Sequence, residues 1–278
     1  MNQEKQRRDF SRFTQEAKTA EEAMNRLLEI VQILREECPW DRQQTHKSLR
    51  SCLLEEAYEV VDAIDREDDD NLEEELGDVL LQVVFHGILA EETNKFNFMT
   101  IANRECEKML RRHPHVFLKE KVDSIDKALE KWENVKRKEQ EDVSHTHRLL
   151  GVPRALPALI RSYKLQAKAA EAGFDWEEVS GAFRKLEEEL LELKEAAEGK
   201  DPGRMVDELG DLIFSAVNVA RFLGVNPEEA LNSTSEKFVK RFSEVEQGAK
   251  ALGKRLEQMS LEEMDVLWEQ AKSSGNIK

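Results

Sequence analysis

Two matching sets of five carboxylates are the residues in this sequence best placed to do chemistry. Glu188, Glu189 and Glu192 precede Glu208 and Asp211, and Glu55, Glu56 and Glu59 precede Glu75 and Asp78 at identical spacing. Like charges gathered on neighbouring helices repel, more strongly when removed from water, so each set calls for a cation. Oxygen ligands without His or Cys favour Mg²⁺, with Mn²⁺ as the alternative, over zinc or copper. A di-iron bundle would carry a Glu-x-x-His pair, and neither set has one. A single EExxE on a helix is more often a solvated face; its repetition is what favours a metal site.

Divalent ions held by carboxylates commonly carry substrate phosphates, which need positive side chains nearby. Lys237 and Arg241 follow the second acidic set, and Lys108 and Arg112 follow the first. Arg204 opens the second acidic helix, where a phosphate would also meet free backbone N–H groups. Asn218 lies seven residues beyond Asp211, on nearly the same helix face, and could hydrogen-bond a sugar or base. Trp268 is a candidate to stack on a base. Gly77 and Gly210, inside the acidic helices, allow either close packing or the approach of a ligand.

These residues must be positioned by helices. An offset of 133 superposes Leu53–His86 on Leu186–Val219 without a gap, with 11 of 34 pairs identical, including the run Glu-Leu-Gly-Asp at 75–78 and 208–211. Leu53, Ala57, Val60 and Ile64 form one apolar stripe, and Leu72, Leu76, Val79 and Val83 a second. At 100° per residue from Leu53, Glu55, Glu59 and Glu56 fall at about 200°, 240° and 300°, on one flank of the stripe. The second copy has the same phase, with stripes Leu186, Leu190, Leu193, Ala197 and Met205, Leu209, Leu212, Ala216. The expected core is therefore the stripes, with acidic flanks facing each other across short turns at 66–71 and 199–203. Thr45 or Ser48 is the expected cap of the first acidic helix. A further helix closes each copy, over 101–112 and 230–241.

Apolar residues make up 40 % and charged residues 36 % of the 278, with 12 Gly and 6 Pro, a helical balance with few strand signals. The net charge of −16 disfavours a nucleic acid polymer as partner. Cys38, Cys52 and Cys106 lack metal-type spacing and are expected as core thiols in a reducing compartment. With no apolar run long enough for a signal peptide or a membrane span, no membrane partner and a cytoplasmic location are expected. The expected organisation is all-α: a polar tail over 1–22, a helical-bundle domain over 23–143, a linker over 144–158 and a related domain over 159–278.

The chain resembles the MazG nucleoside triphosphate pyrophosphohydrolases of the all-α NTP pyrophosphatase superfamily. The likeness runs from about residue 24 and includes CPWD at 38–41, LEEAYEVVDAI at 54–64, ELGD twice, RRHPHVF at 111–117, GFDW at 173–176 and EKFVKRF at 236–242. It implies Mg²⁺-dependent hydrolysis of nucleoside triphosphates to monophosphate and pyrophosphate, broad base tolerance, a homodimer and a role in cleaning the nucleotide pool. By position, Glu189, Glu192, Glu208 and Asp211 resemble the metal ligands. Glu188 resembles a group that supports them or orients the attacking water, with Glu188 and Glu192 as the catalytic carboxylates. Arg204, Lys237 and Arg241 would hold phosphates and Trp268 would touch the nucleotide. Arg204 stands where the family is expected to have Lys. The resemblance places activity in the C-terminal copy and leaves the N-terminal acids as a second site of undecided use. The competing readings are a non-enzymatic helical scaffold with acidic metal-binding pairs, and a pyrophosphatase restricted to one nucleotide such as dUTP.

Overall fold

The structure, a computed structural model, describes residues 10–117, 124–138 and 144–273. Residues 1–9, 118–123, 139–143 and 274–278, among them the first nine residues of the expected tail, lie outside this range. The chain divides into two compact units, Met1–Glu139 and Gln140–Lys278. Every regular element among the described residues is helical.

The first unit holds α1 (Ala20–Glu37), α2 (Arg50–Asp65), α3 (Asp69–Glu92), α4 (Phe98–Arg112), the single turn α5 (Pro114–Phe117) and α6 (Ile125–Lys138). Polar caps fix where several of them begin. Thr19 accepts from the Glu22 N–H at the start of α1, and Asn97 with Thr100 forms a reciprocal capping box at α4. The expected Thr45 or Ser48 cap of α2 is corrected: Leu49 is the cap residue and makes no side-chain bond. Thr45 and Ser48 instead bond each other's N–H groups, closing the turn ahead of the helix.

The core of this unit is Val31 of α1, Leu49, and Val84, Phe85, Ile88 and Leu89 from the second half of α3, with Met24, Leu27 and Phe98 against it. Gly87 lets α4 approach, since a Cβ there would sit 3.2 Å from the Phe98 backbone nitrogen. Arg35 ties three segments together. Its Nε and Nη2 donate to the Glu92 carboxylate at 2.8 and 2.6 Å, and its Nη1 donates to the carbonyls of Asp41 and Gln44. Arg35→Ala would strip two part-buried carbonyls and the Glu92 carboxylate of their shared donor and is expected to cost on the order of 2 kcal/mol. Hydrogen bonding to Arg35 holds Glu92 below the usual carboxylate range. That contribution is present above the ordinary glutamate pKa and lost as pH falls through the depressed value. The gap in urea midpoint between parent and variant should therefore narrow on acidification.

The second unit holds α7 (His145–Leu150), α8 (Ala158–Glu171), α9 (Val179–Gly199), α10 (Pro202–Phe222), α11 (Pro227–Ala251) and α12 (Leu261–Ser273). The segment read as a linker is partly helical: α7 packs on α8, and Val152 just beyond it is buried.

In each unit two long helices form a hairpin, α2 with α3 and α9 with α10. The connection is a short turn in both, three residues between α2 and α3 and two between α9 and α10. Glu67 and Lys200, 133 apart, take left-handed φ of 54° and 52°, and Asp68 and Asp201 then cap the next helix. The glycines of 199–203 do not supply the left-handed step; Gly199 ends α9 and Lys200 makes it.

The apolar stripes do not form the core of either hairpin, which corrects the expectation. Ile64, Leu76, Leu190 and Leu209 are exposed, as are Ala57, Ala197 and Ala216. The buried line of α9 runs instead through Gly181, Ala182, Glu189 and Ala196, and α2 buries Ala63, the counterpart of Ala196. The acidic flank, about a third of a turn from the stripe, lies between the two helices as the seam, where acids of both helices gather. Cys38 and Cys52 are half-buried and Cys106 is exposed, so none is a core thiol. Trp40, also exposed, is no core residue either.

Candidate active site

The α9–α10 seam gathers its five acids into two triplets that share Glu189. Glu188, Glu189 and Glu192 have ligand oxygens within 4.8 Å of one another, and so do Glu189, Glu208 and Asp211. Glu189 is only 4 % exposed. One of its oxygens accepts from Lys185 at 2.7 Å, while Oε2 is buried without a partner. A buried carboxylate oxygen left bare is costly unless something positive meets it. No His or Cys joins either triplet among the described residues. The donor set therefore fits a hard divalent cation.

The electrostatics agree with that fit. Glu192 is pushed above the usual glutamate range by its hydrogen bond with Glu189, then by desolvation and by repulsion from Glu189 and Glu208. Lys185 bridges Glu188 and Glu189 at 2.6 and 2.7 Å, and these bonds raise its pKa. Sequence reading did not single out Lys185, although its spacing of three and four residues to the two acids was the available signal.

The N-terminal seam is thinner. Glu56, Glu59 and Glu75 form one triplet, while Glu55 and Asp78 stand outside it. Desolvation and neighbouring acids, including Asp78, raise both Glu56 and Glu75. Cys52 occupies the place of Lys185. His86 pairs with His46, Nδ1 to Nδ1 at 2.8 Å, rather than with the acids. A Cβ at Gly77 or Gly210 would meet nothing within 4 Å, so close packing inside the chain does not explain either glycine.

The expected phosphate ligands are only partly assembled. Arg204 reaches Glu208 at 3.4 Å, at the edge of the second triplet. The helix N-terminus beside it does not offer the free donors expected there. Asp201 Oδ1 accepts from the N–H groups of Gly203 and Arg204, and Pro202 has none to give. Lys237 and Arg241 on α11 make no ion pair with the acids. Arg241 lies 6.0 Å from the ring of Trp268, which packs on Phe238 at 5.3 Å. In the first unit Lys108 pairs with Glu105, and Arg112 lies 5.9 Å from the Trp132 ring. Asn218 is buried, its Oδ1 accepting from Arg221 Nε at 2.9 Å, and Arg221 in turn meets Asp175 at 2.5 Å.

Residues 44–117 and 178–246 both match the MazG nucleotide pyrophosphohydrolase domain, and these stretches contain both acidic seams. A nucleoside triphosphate pyrophosphohydrolase/pyrophosphatase MazG of Thermotoga maritima is 44 % identical over 248 residues, covering 88 % of this chain and 94 % of that protein. The chain belongs to the MazG family. A nucleoside triphosphate pyrophosphohydrolase of Escherichia coli K12 is 41 % identical over 254 residues, 90 % of this chain and 97 % of its own length. Bacillus subtilis YabN, an uncharacterized protein, is 44 % identical over 238 residues, which make up 48 % of its length. As a MazG-type chain with two acidic seams, the protein is built for divalent metal. No helix among the described residues is long and apolar enough to cross a membrane.

Proposed function

We infer that the chain hydrolyses nucleoside triphosphates to the nucleoside monophosphate and pyrophosphate, at the α9–α10 seam. The observation that carries this reading is the buried, unpartnered Oε2 of Glu189, shared by two acid triplets in a chain of the MazG family. Mg²⁺ is the ion that best suits an all-carboxylate set, and Glu189, Glu192, Glu208 and Asp211 would hold it. When bound, it supplies polarisation of phosphate oxygens and a more acidic water. Glu188 and Glu192 would be the carboxylates that take the proton of the attacking water. Lys185 releases or shares its acids as charge arrives. Arg204 neutralises phosphate from the second triplet, with Lys237 and Arg241 completing the cradle.

A homodimer is the working unit on this reading. Leu190 and Leu191 of α9 and Val206, Leu209 and Ile213 of α10 are large apolar side chains exposed to solvent. An exposed patch of this kind marks an interaction surface, and a second copy offers the complement. The N-terminal seam, with its single triplet and no Lys185 counterpart, serves as a second metal site. A cytoplasmic, nucleotide-pool role accords with such an activity.

The test is incubation with a deoxynucleoside triphosphate and Mg²⁺ followed by assay for pyrophosphate. Pyrophosphate in step with monophosphate is the expected result, stopped by chelation and restored by Mg²⁺. Release of inorganic phosphate alone, or no turnover at all, would overturn the reading. In the same protein, cation at about 100 times its dissociation constant should add about 2.7 kcal/mol of stability, read as a rise in Tm. Competition among nucleotides tests breadth, and a product from dUTP alone would indicate the restricted enzyme.

A further inference from the structure

The α2–α3 hairpin of the first unit is joined at one end by its turn and at the other by a contact between two histidines. His46, exposed in the turn ahead of α2, and His86, half-buried on α3, meet Nδ1 to Nδ1 at 2.8 Å with their ring planes 15° apart. Such a contact holds one proton between two nitrogens, one ring donating and the other accepting. One turn earlier on α3, Gln82 is 7 % exposed, and its Oε1 is buried with no partner. Asp78, Gln82 and His86 follow one another at intervals of four residues, so all three fall within about 80° of the helix. Gln82 thus stands on one line between the acids and the histidine pair. A hydrogen bond between the rings accounts for the histidines but leaves the buried amide oxygen bare, which is costly.

We propose that His46 and His86, with Gln82 Oε1 as a third donor, form a site for a divalent transition cation such as Zn²⁺ at the open end of the α2–α3 hairpin. The donor chemistry separates this site from the acidic seams. Imidazole nitrogen suits Zn²⁺, Ni²⁺ and Cu²⁺, whereas Mg²⁺ takes oxygen ligands and gives up its water reluctantly. A tetrahedral ion about 2.0–2.1 Å from each nitrogen sets the two nitrogens about 3.3 Å apart, so the pair need open by only about 0.5 Å. The exposed turn that carries His46 can supply that movement, and solvent on its side completes the coordination. In the neutral pair the proton between the rings moves to the outer Nε2 of its own ring. Both Nδ1 lone pairs then meet the ion, and no net proton is released.

An ion held there joins the segment ahead of α2 to α3, and so clamps together the two helices that carry Glu56, Glu59 and Glu75. The second unit has no equivalent donors. At the offset of 133, Val179, Ser215 and Val219 stand in place of His46, Gln82 and His86.

Calorimetric titration of the full chain with Zn²⁺, in excess Mg²⁺ to compete at the carboxylates, tests the proposal. One equivalent of Zn²⁺ is expected to bind. His46→Phe and His86→Phe should each weaken it by on the order of a hundredfold or more, and Gln82→Leu by about tenfold, while Glu56→Gln leaves it unchanged. The ring C–H resonances of the six histidines give a second readout: those of His46 and His86 should shift with the first equivalent, and in His46→Phe none should. Unchanged Zn²⁺ affinity in His46→Phe, shifts at other histidines instead, loss of binding in Glu56→Gln, or no uptake in the presence of Mg²⁺ would each overturn the proposal. Should His86→Phe fail to fold by circular dichroism, His46→Phe, on an exposed turn, decides alone.

Discussion

Glu189→Gln is expected to lower pyrophosphate release by about 10³-fold, a loss of the size seen when a metal ligand or catalytic carboxylate is removed. The substitution keeps the shape of the side chain and deletes the charge both triplets share. The bare Oε2 is buried, so no water-exposed conformer can substitute for it at low cost. Lys185 keeps Glu188 as partner, and the helices should form as before, which far-UV circular dichroism checks. The rise in Tm on adding Mg²⁺ should shrink with the activity. Turnover within tenfold of the parent would sink the assignment of this seam. The counterpart Glu56→Gln, at the thinner N-terminal triplet, is expected to leave most of the turnover intact, and a loss comparable to that of Glu189→Gln would place the chemistry in the other unit.

Ile213→Asp carries the second large expected effect, on assembly. Ile213, Val206 and Leu209 are 47 %, 72 % and 48 % exposed on one side of α10, roughly half a turn from Glu208 and Asp211. In a two-fold dimer each such residue is used twice, so a charge there is desolvated twice. Dimer dissociation should strengthen by on the order of a hundredfold or more, as for an interface hot spot. Analytical ultracentrifugation should show the parent as a dimer and the variant as a monomer at the same micromolar loading. A monomeric parent would overturn the homodimer. Because α10 carries both surfaces, loss of the dimer should also reduce activity.

Several features of the fold were legible because local chemistry specifies them. The 133-residue repeat located two hairpins, and its identities have now separate physical meanings. Asp68 and Asp201 cap the returning helices, Ala63 and Ala196 are buried near the ends of the helices before them, and Val84 and Val217 are buried in both units. Helical phase put the acids on one flank. The expectation that these flanks face each other agrees with the triplets gathered across each hairpin, but phase could not say whether a stripe of Leu and Val is buried within the chain. The wrong choice followed from assuming that the most apolar side must be the intra-chain core. Lys200 and Glu67 show the same limit at the turns, since the left-handed step falls on residues with no glycine signal.

The acids themselves, their number, spacing and lack of histidine partners were determined by the sequence alone, and so was the helical class that holds them. Membership of the MazG family rests on motifs spread along the chain. Only the tertiary structure decided that Glu189 is the buried member with a bare oxygen, that Lys185 stands among the acids, and that Asp201 already occupies the donors of α10. It also decided that Gln166, Trp176 and Asn218, from three separate segments, line one cavity. The reason is physical: periodicity along a helix fixes direction around its axis, while burial and unmet hydrogen bonds depend on what other segments bring to that direction.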